Sequence, residues 1–395
     1  MRSKKREEMP SGVRKAVDAE VFVFLAIFLA FFCMFGFKMG LANMFNTMMN
    51  TAYELLMDTV FYIMAIAVLA GAVSALFSEF GVISLFNKIL SPLIGPIYGL
   101  PGASSVGIIT TYLSDNPAIL TLANDNTFRR FFKKYQLPAL TNIGTSFGMG
   151  LIITTFMIGI KSPIGENFGI AVLVGNLGAI IGSIVSTRLM LRHTAALYGK
   201  DEPCEALDNG EAIDAIHYRV VRKGSHGSRF IDALLAGGKS GVEMGMAIIP
   251  GVLIICTLVL MLTNSCPEGG YTGAAYEGIG LLPWVGDKLR FILMPLFGFA
   301  SPEAVAVPIT ALGAAGAAIG IVEKLIAAGS ANAHDIAVFT SMCMCWSGYL
   351  STHVAMMDSL KCSYLTGKAI LYHTIGGLCA GVAANWIYNL ISLIF

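Results

Sequence analysis

Apolar windows free of charge alternate along the chain with short charged clusters. Residues 59–78, 89–114, 135–160, 167–187, 244–267, 304–322, 336–357 and 369–395 contain no Asp, Glu, Lys or Arg. Most of these windows reach the ~20 apolar residues that cross the hydrocarbon core of a bilayer. A further apolar run, Val21–Phe37, follows a basic start carrying Arg2, Lys4, Lys5, Arg6, Arg14 and Lys15. A signal peptide has this order too. No small-residue cleavage site closes the run, however, and Lys38 follows directly, so it reads as a retained first helix. Composition agrees: 13% of the 395 residues are charged and 55% are hydrophobic. Soluble domains carry about 25% charged residues. The expectation is an all-α polytopic membrane protein whose first partner is the lipid bilayer.

The positive charges orient the windows. With the N-terminus in the cytoplasm, helices near 21–42 and 53–78 run out and back. The cluster Arg129, Arg130, Lys133 and Lys134 then lies inside. Residues 136–160 and 167–190 cross out and return, and the polar stretch 193–238 is cytoplasmic. Residues 241–263, 335–357 and 369–392 make the remaining crossings. Of the 26 Lys and Arg, only Lys38, Lys161, Lys288, Arg290 and Lys324 then fall outside, which satisfies the positive-inside bias. Arg130 and Lys324 are expected on opposite sides. Residues 212–224 suit an interfacial helix. The units are 1–50 with the first helix, a repeat over 51–192, the linker 193–238, and a second, inverted repeat over 239–395, in the bacterial cytoplasmic (inner) membrane.

The repeats rest on helix breakers. Pro92-Leu-Ile-Gly95 and Pro101-Gly-Ala-Ser104 reappear as Pro295-Leu-Phe-Gly298 and Pro302-Glu-Ala-Val305, and Leu177–Gly182 as Gly376–Gly381. Inverted-topology repeats with broken helices or re-entrant hairpins are the architecture of secondary transporters. The broken segments are expected over 83–122 and 284–328, each followed by two crossing helices.

Breaks inside lipid survive only where protein or water covers the freed backbone, which makes them candidate sites. Ser104 and Ser105 follow Pro101 and would cap a helix whose free N–H groups can meet a polar ligand. In the second repeat Ser301 suits the N-cap, Pro302 the first helical position and Glu303 the first turn. Glu303 is either a capping carboxylate or an intramembrane one that binds a cation, proton or amine. In Ser114-Asp115-Asn116-Pro117, the proline releases a carbonyl beside two polar side chains. Asn142, Thr145 and Ser146 share one helical face at i, i+3 and i+4. Ser347, Ser351 and His353 hold the corresponding place in the second repeat, and an imidazole there can titrate near neutral pH.

No phosphate-binding loop, zinc-protease helix or nucleophile elbow is present. The eight cysteines lack metal spacing, and a net charge of +1 offers nothing to a nucleic acid. No enzymatic activity, cofactor or metal is expected. A coupling ion, H+ or Na+, and self-association into a homo-oligomer stay open.

The duplicated Pro-Gly block, Ser114-Asp-Asn-Pro117 and Thr141-Asn-Ile-Gly144 resemble the nucleoside-recognition or "Gate" domain family of bacterial membrane proteins. That family includes spore maturation proteins and relatives of concentrative nucleoside transporters. The similarity spans roughly 60–190 and 240–392. It implies an inverted-repeat transporter-like fold with hairpins meeting near the midplane. The function expected is secondary transport of a small polar metabolite (nucleoside, amino acid, short peptide or organic acid) by alternating access. A non-transporting protein for assembly or signalling and a membrane enzyme using the same cavity are the alternatives.

Overall fold

The computed structural model describes residues 16–114, 131–204 and 221–393, apart from 314 and 348. The described residues are helical, without a β-strand. Helix α1 (Ala19–Met39) turns at Gly40 into α2 (Leu41–Glu79), whose middle turn Leu55–Val60 is π-helical. Then come α3 (Val82–Tyr98), α4 (Ser104–Leu113), α5 (Ala139–Thr145), α6 (Gly150–Gly159) and α7 (Gly169–Tyr198). After the polar stretch follow α8 (His226–Gly251), a π turn (Val252–Cys256) and α9 (Thr257–Thr263). Next are α10 (Leu281–Lys288), α11 (Arg290–Phe297), a 3-10 turn (Pro302–Val305) and α12 (Ala306–Gly313). Last are α13 (Ala315–Ala327), α14 (Ala333–Cys345), α15 (Tyr349–Ser359) and α16 (Thr366–Ser392). Among the described residues, five helices are long and apolar enough to cross a membrane, or six if the pair bent by 78° after Phe297 is one span.

Close helix crossings hold this together. Along α2 and α8 an added Cβ at Gly237 would stand 2.2 Å from the Gly71 carbonyl oxygen, and one at Gly241 2.4 Å from that of Ala67. Rising numbers on α2 meet falling numbers on α8, so the two run antiparallel. The final helices of the two halves repeat the pattern: Gly182 of α7 meets Gly376 of α16, and Gly178 meets Ala380 and Ala384. In lipid no hydrophobic force drives helices together, so side-chain-free faces that let backbones touch supply dispersion contacts instead. Two antiparallel crossings, one between the first helices of the halves and one between the last, are what inverted repeats require.

Helix α2 is about 58 Å long, roughly twice the hydrocarbon core. It begins at Leu41 rather than near residue 53, so Glu54 and Asp58 sit within the helix, not at its start. The polar first part serves as a dock. Asn43 and Asn50 donate to the carbonyls of Tyr271 and Gly273 in the loop after α9. The other end of α2 meets the polar stretch, where Arg222 and Arg229 pair with Glu79. These two ends define the membrane sides. Lys134 lies on the polar-stretch side, paired with Glu202. Lys324 lies on the other, its ammonium 4.6 Å from the centre of the Tyr276 ring.

The breakers act differently from expectation. Helix α3 runs through Pro92 and Pro96, and α11 through Pro295. The stops are glycines in the left-handed region, Gly99 (φ 78°) and Gly298 (φ 66°), each donating back four residues to Gly95 or Met294. The matching strings are therefore Pro96-Ile-Tyr-Gly99 and Pro295-Leu-Phe-Gly298, four residues on from the register read in the sequence. Pro101–Ser105 spans the break between α3 and α4, which fold back onto each other, Ser105 bonding Asn87. It links α3 to α4 near Arg188 of α7, whose guanidinium caps the α3 carbonyls of Pro96 and Ile97. From there α4 climbs into the bundle, where Tyr112 meets Thr154 and Asn176, each 3.0 Å away. In the second half α12 and α13 pack against each other. The expected interfacial helix 212–224 and the cluster Arg129–Arg130 lie outside the described residues, the former up to residue 220.

The loop after α9 carries its own test. Glu277 accepts from the Thr272 hydroxyl (2.6 Å) and the amides of Thr272 and Gly273. Burial pushes this carboxyl up, but these hydrogen bonds outweigh it and hold it below the usual carboxylate range. A depressed carboxyl stabilises the fold above its unfolded pKa of about 4.3 and ceases to as pH falls through its folded value. Thermal unfolding of Glu277→Gln should begin at a lower temperature at pH 7 and show a flatter loss toward acid than wild type. Identical pH profiles would mean that this loop contributes no stability.

Candidate functional site

Both crossings that follow the Pro-Gly blocks are themselves broken. Helix α5 stops at Thr145 and α6 starts at Gly150, with Met149 forced to φ 55°. Helix α14 stops at Cys345 and α15 starts at Tyr349. The gaps lie at one level. Asn142 bonds Ser186 below the first gap, and Thr154 bonds Asn176 above it, so the gap faces the stretch of α7 between them. At the second gap Cys345 Sγ lies 3.6 Å from the Ala179 carbonyl oxygen, on that same stretch. The sequence reading took each crossing as one continuous helix.

A buried polar chain joins the halves here. Asn142 Nδ2 donates to Ser186 Oγ (2.9 Å) and to the Ala369 carbonyl on α16 (3.0 Å). Ser186 Oγ meets His373 Nδ1 at 3.1 Å. His373 Nε2 reaches the Cys345 carbonyl, which can only accept, so that nitrogen carries the proton and Nδ1 accepts from Ser186. His353 Nδ1 likewise donates to the Tyr349 carbonyl (2.6 Å), and its Nε2 faces Thr145 Oγ1 at 3.5 Å. The two imidazoles lie 4.6 Å apart, centroid to centroid. When neutral, each ring is therefore held in one tautomer, Nε2–H in His373 and Nδ1–H in His353. Asn142 Oδ1 is buried with no hydrogen-bond partner among the described residues, an acceptor open to a donor from a ligand.

The other candidates fall in several places. Thr145 and Ser146 turn their hydroxyls back to the carbonyls of Thr141 and Asn142. Ser347 is buried in the second gap. Ser351 falls in α15, its side chain outside the described set. Ser105 is tied to Asn87 and the Gly102 carbonyl and does not cap α4. Ser104 Oγ is buried without a partner among the described residues at the first position of α4. Ser301 holds the N-cap position with extended backbone, but its hydroxyl makes no capping hydrogen bond and is buried without a partner among the described residues. Glu303 sits half-buried in the 3-10 turn that follows. Asp115 and Asn116 lie outside the described residues.

Ser186, His373 and Tyr349 were missed. A histidine at position 373, within an uncharged window, was the available signal for one of them. Ser186 follows a glycine-rich stretch that reads equally well as helix packing.

A vestibule of about 380 Å³ runs between α2, α4 and α8. Its walls extend from Ser78 and Arg222, on the polar-stretch side, to Ala67, Ile152 and Ser114. Along α2 that is about 16 Å of depth. It ends at the close of α4, within the membrane-spanning part of the bundle.

No protein-family model and no curated protein matches the chain. Solved structures do. The concentrative nucleoside transporter CNTnw in an inward-facing substrate-bound state matches with a TM-score of 0.52 at 14% identity, over 93% of this chain and 85% of that one. A double variant of CNTnw in an outward-facing state matches equally, with a TM-score of 0.52 at 14% identity, over 94% and 85%. The chain is therefore an all-α polytopic membrane protein with the fold of these transporters.

The polar chain yields a measurable cost. Ser186→Ala removes the acceptor of Asn142 and the donor to His373 and leaves both buried. Unfolding stability in detergent should fall by about 1–3 kcal/mol. An unchanged stability would show that the chain contributes nothing to joining the halves.

Proposed function

We propose that the protein is a secondary transporter that moves a small polar metabolite by alternating access. One observation carries this reading. The gaps of two broken crossings, one from each half, face the same stretch of α7, and a vestibule descends to the end of α4 from one side of the membrane. A scaffold needs no such vestibule, and no group arranged for bond chemistry stands in it. The buried acceptor of Asn142 is the group that would meet the substrate's donor. Nucleosides, amino acids, short peptides and organic acids remain the substrate classes. The polar-stretch side, rich in Lys and Arg, is the cytoplasmic face of a bacterial cytoplasmic membrane, and the N-terminus lies on that side.

Of the two coupling ions, the proton has residues to receive it. His353 and His373 pack ring to ring, and one added proton would make Ser186 or Thr145 accept where it now donates or lies close. That change reaches both halves at once. Glu303 stands apart from this pair in the contacts described and keeps its helix-start position.

Uptake into sealed proteoliposomes tests the reading. One of these substrate classes should enter saturably, and Asn142→Leu should reduce uptake at least about tenfold, the loss of one hydrogen bond to a buried group. A proton gradient should drive it in wild type but not in His373→Gln. If none of the classes is taken up by folded protein, transport is refuted. A product formed without vesicle closure would favour an enzyme.

A further inference from the structure

Among the described residues, the vestibule has one charged wall residue, and it is a cation. Arg222 lines the passage beside Ser78, and no acidic side chain among the described residues lines it with them. Behind it lies Glu79, almost wholly buried, with its side chain 2% exposed. This carboxylate is already served by Arg229, whose Nε donates to Oε1 at 2.7 Å and whose Nη2 reaches the Glu79 carbonyl. Arg222 adds its backbone amide to Oε1 and Nη1 to Oε2. Two guanidinium groups therefore face one carboxylate. The contacts of Arg222 use only one of its three side-chain nitrogens. Its Nε and Nη2 have no acceptor among the described residues, and its side chain keeps 38% of its surface exposed.

A guanidinium held rigid by a buried carboxylate, with a free edge in an open passage, is a recognition element for a planar or tetrahedral anion. A fully structural arginine would have both edges engaged, as Arg229 nearly does. The hydroxyls of Ser74 and Ser240 stand farther along the same walls and can donate to the rest of such a ligand. At about 380 Å³ the passage is large enough for a metabolite.

We propose that the vestibule binds an anionic group, a carboxylate or a phosphate, at Arg222. This deepens the transport reading by giving its substrate path a charge. The anion can come from a soluble metabolite or from the headgroup of an anionic lipid entering from the bilayer.

The test is equilibrium binding, read as thermal stabilisation of the whole chain in nanodiscs, so that it does not depend on flux. In zwitterionic lipid, succinate and inorganic phosphate are titrated. In a second arm, phosphatidylglycerol replaces part of the lipid without added anions. Stabilisation by succinate or phosphate in wild type, with affinity weakened about tenfold or more in Arg222→Gln, identifies a soluble anion. Stabilisation by phosphatidylglycerol alone, lost in Arg222→Gln, identifies a headgroup at the same site. Arg229 still holds Glu79 in this variant. Should the variant fail to fold, Ser74→Leu narrows the passage without touching the charges and must weaken the same binding. No stabilisation by either source, or stabilisation that survives both substitutions, overturns the proposal. Absent uptake in proteoliposomes with intact anion binding would refute transport and leave the site standing.

Discussion

An unpaired backbone group in hydrocarbon costs several kcal/mol, and everything unusual in this bundle follows from that penalty. The chain stops four helices inside or at the edge of the membrane. Each stop is covered by another part of the protein. The carbonyls at the end of α3 are taken by Arg188, and Gln136 donates to the Gly99 carbonyl. The freed ends at the two gaps are enclosed by α7 and α16, which cross at Gly182 and Gly376 with no side chain between them. Broken helices at the centre therefore depend on unbroken, glycine-faced helices around them.

That division of labour explains why polar residues gather where they do. Asn142, Ser186, His373 and His353 are buried, yet nearly every polar side-chain atom among them has a partner. The exception, Asn142 Oδ1, lies beside the first gap. A network satisfied at all points but one can stabilise the contact of the two halves and still leave an attachment point for a ligand. The vestibule approaches from one side and is walled by the other pair of crossing helices, α2 and α8.

Much of the fold was legible because charge is so costly in lipid that its absence marks the crossings. Windows 59–78, 135–160, 167–187 and 369–395 each became a long helix or a broken pair. The breaks were harder to place. Proline reads as a stop, yet Pro92, Pro96 and Pro295 all continue their helices, since neighbours can satisfy the carbonyl that proline frees. The true stops are Gly99 and Gly298, each the last residue of a Pro-x-x-Gly string, and that string occurs twice in tandem in the first half. That tandem shifted the repeat register by four residues. The gap at Ser146–Met149 has no proline, and its glycines read as helix packing. Asn142, Thr145 and His353 were found because polar side chains are conspicuous in an uncharged window. Their partners Ser186 and Tyr349 were not, because a serine or tyrosine in such a window is ordinary. Contacts between residues 40 to 230 positions apart are set by tertiary packing, which no local pattern encodes.

The central claim is that two halves enter the membrane in opposite senses and meet at their breaks. The most direct measurement is labelling of single cysteines by a membrane-impermeant maleimide in intact cells, in a background lacking the exposed Cys33 and Cys266. Lys134 follows the first broken block and Lys324 ends the second. A cysteine at 324 should label in intact cells, and one at 134 only after the membrane is permeabilised. Labelling of both from the same side would contradict the inverted arrangement and with it the shared site.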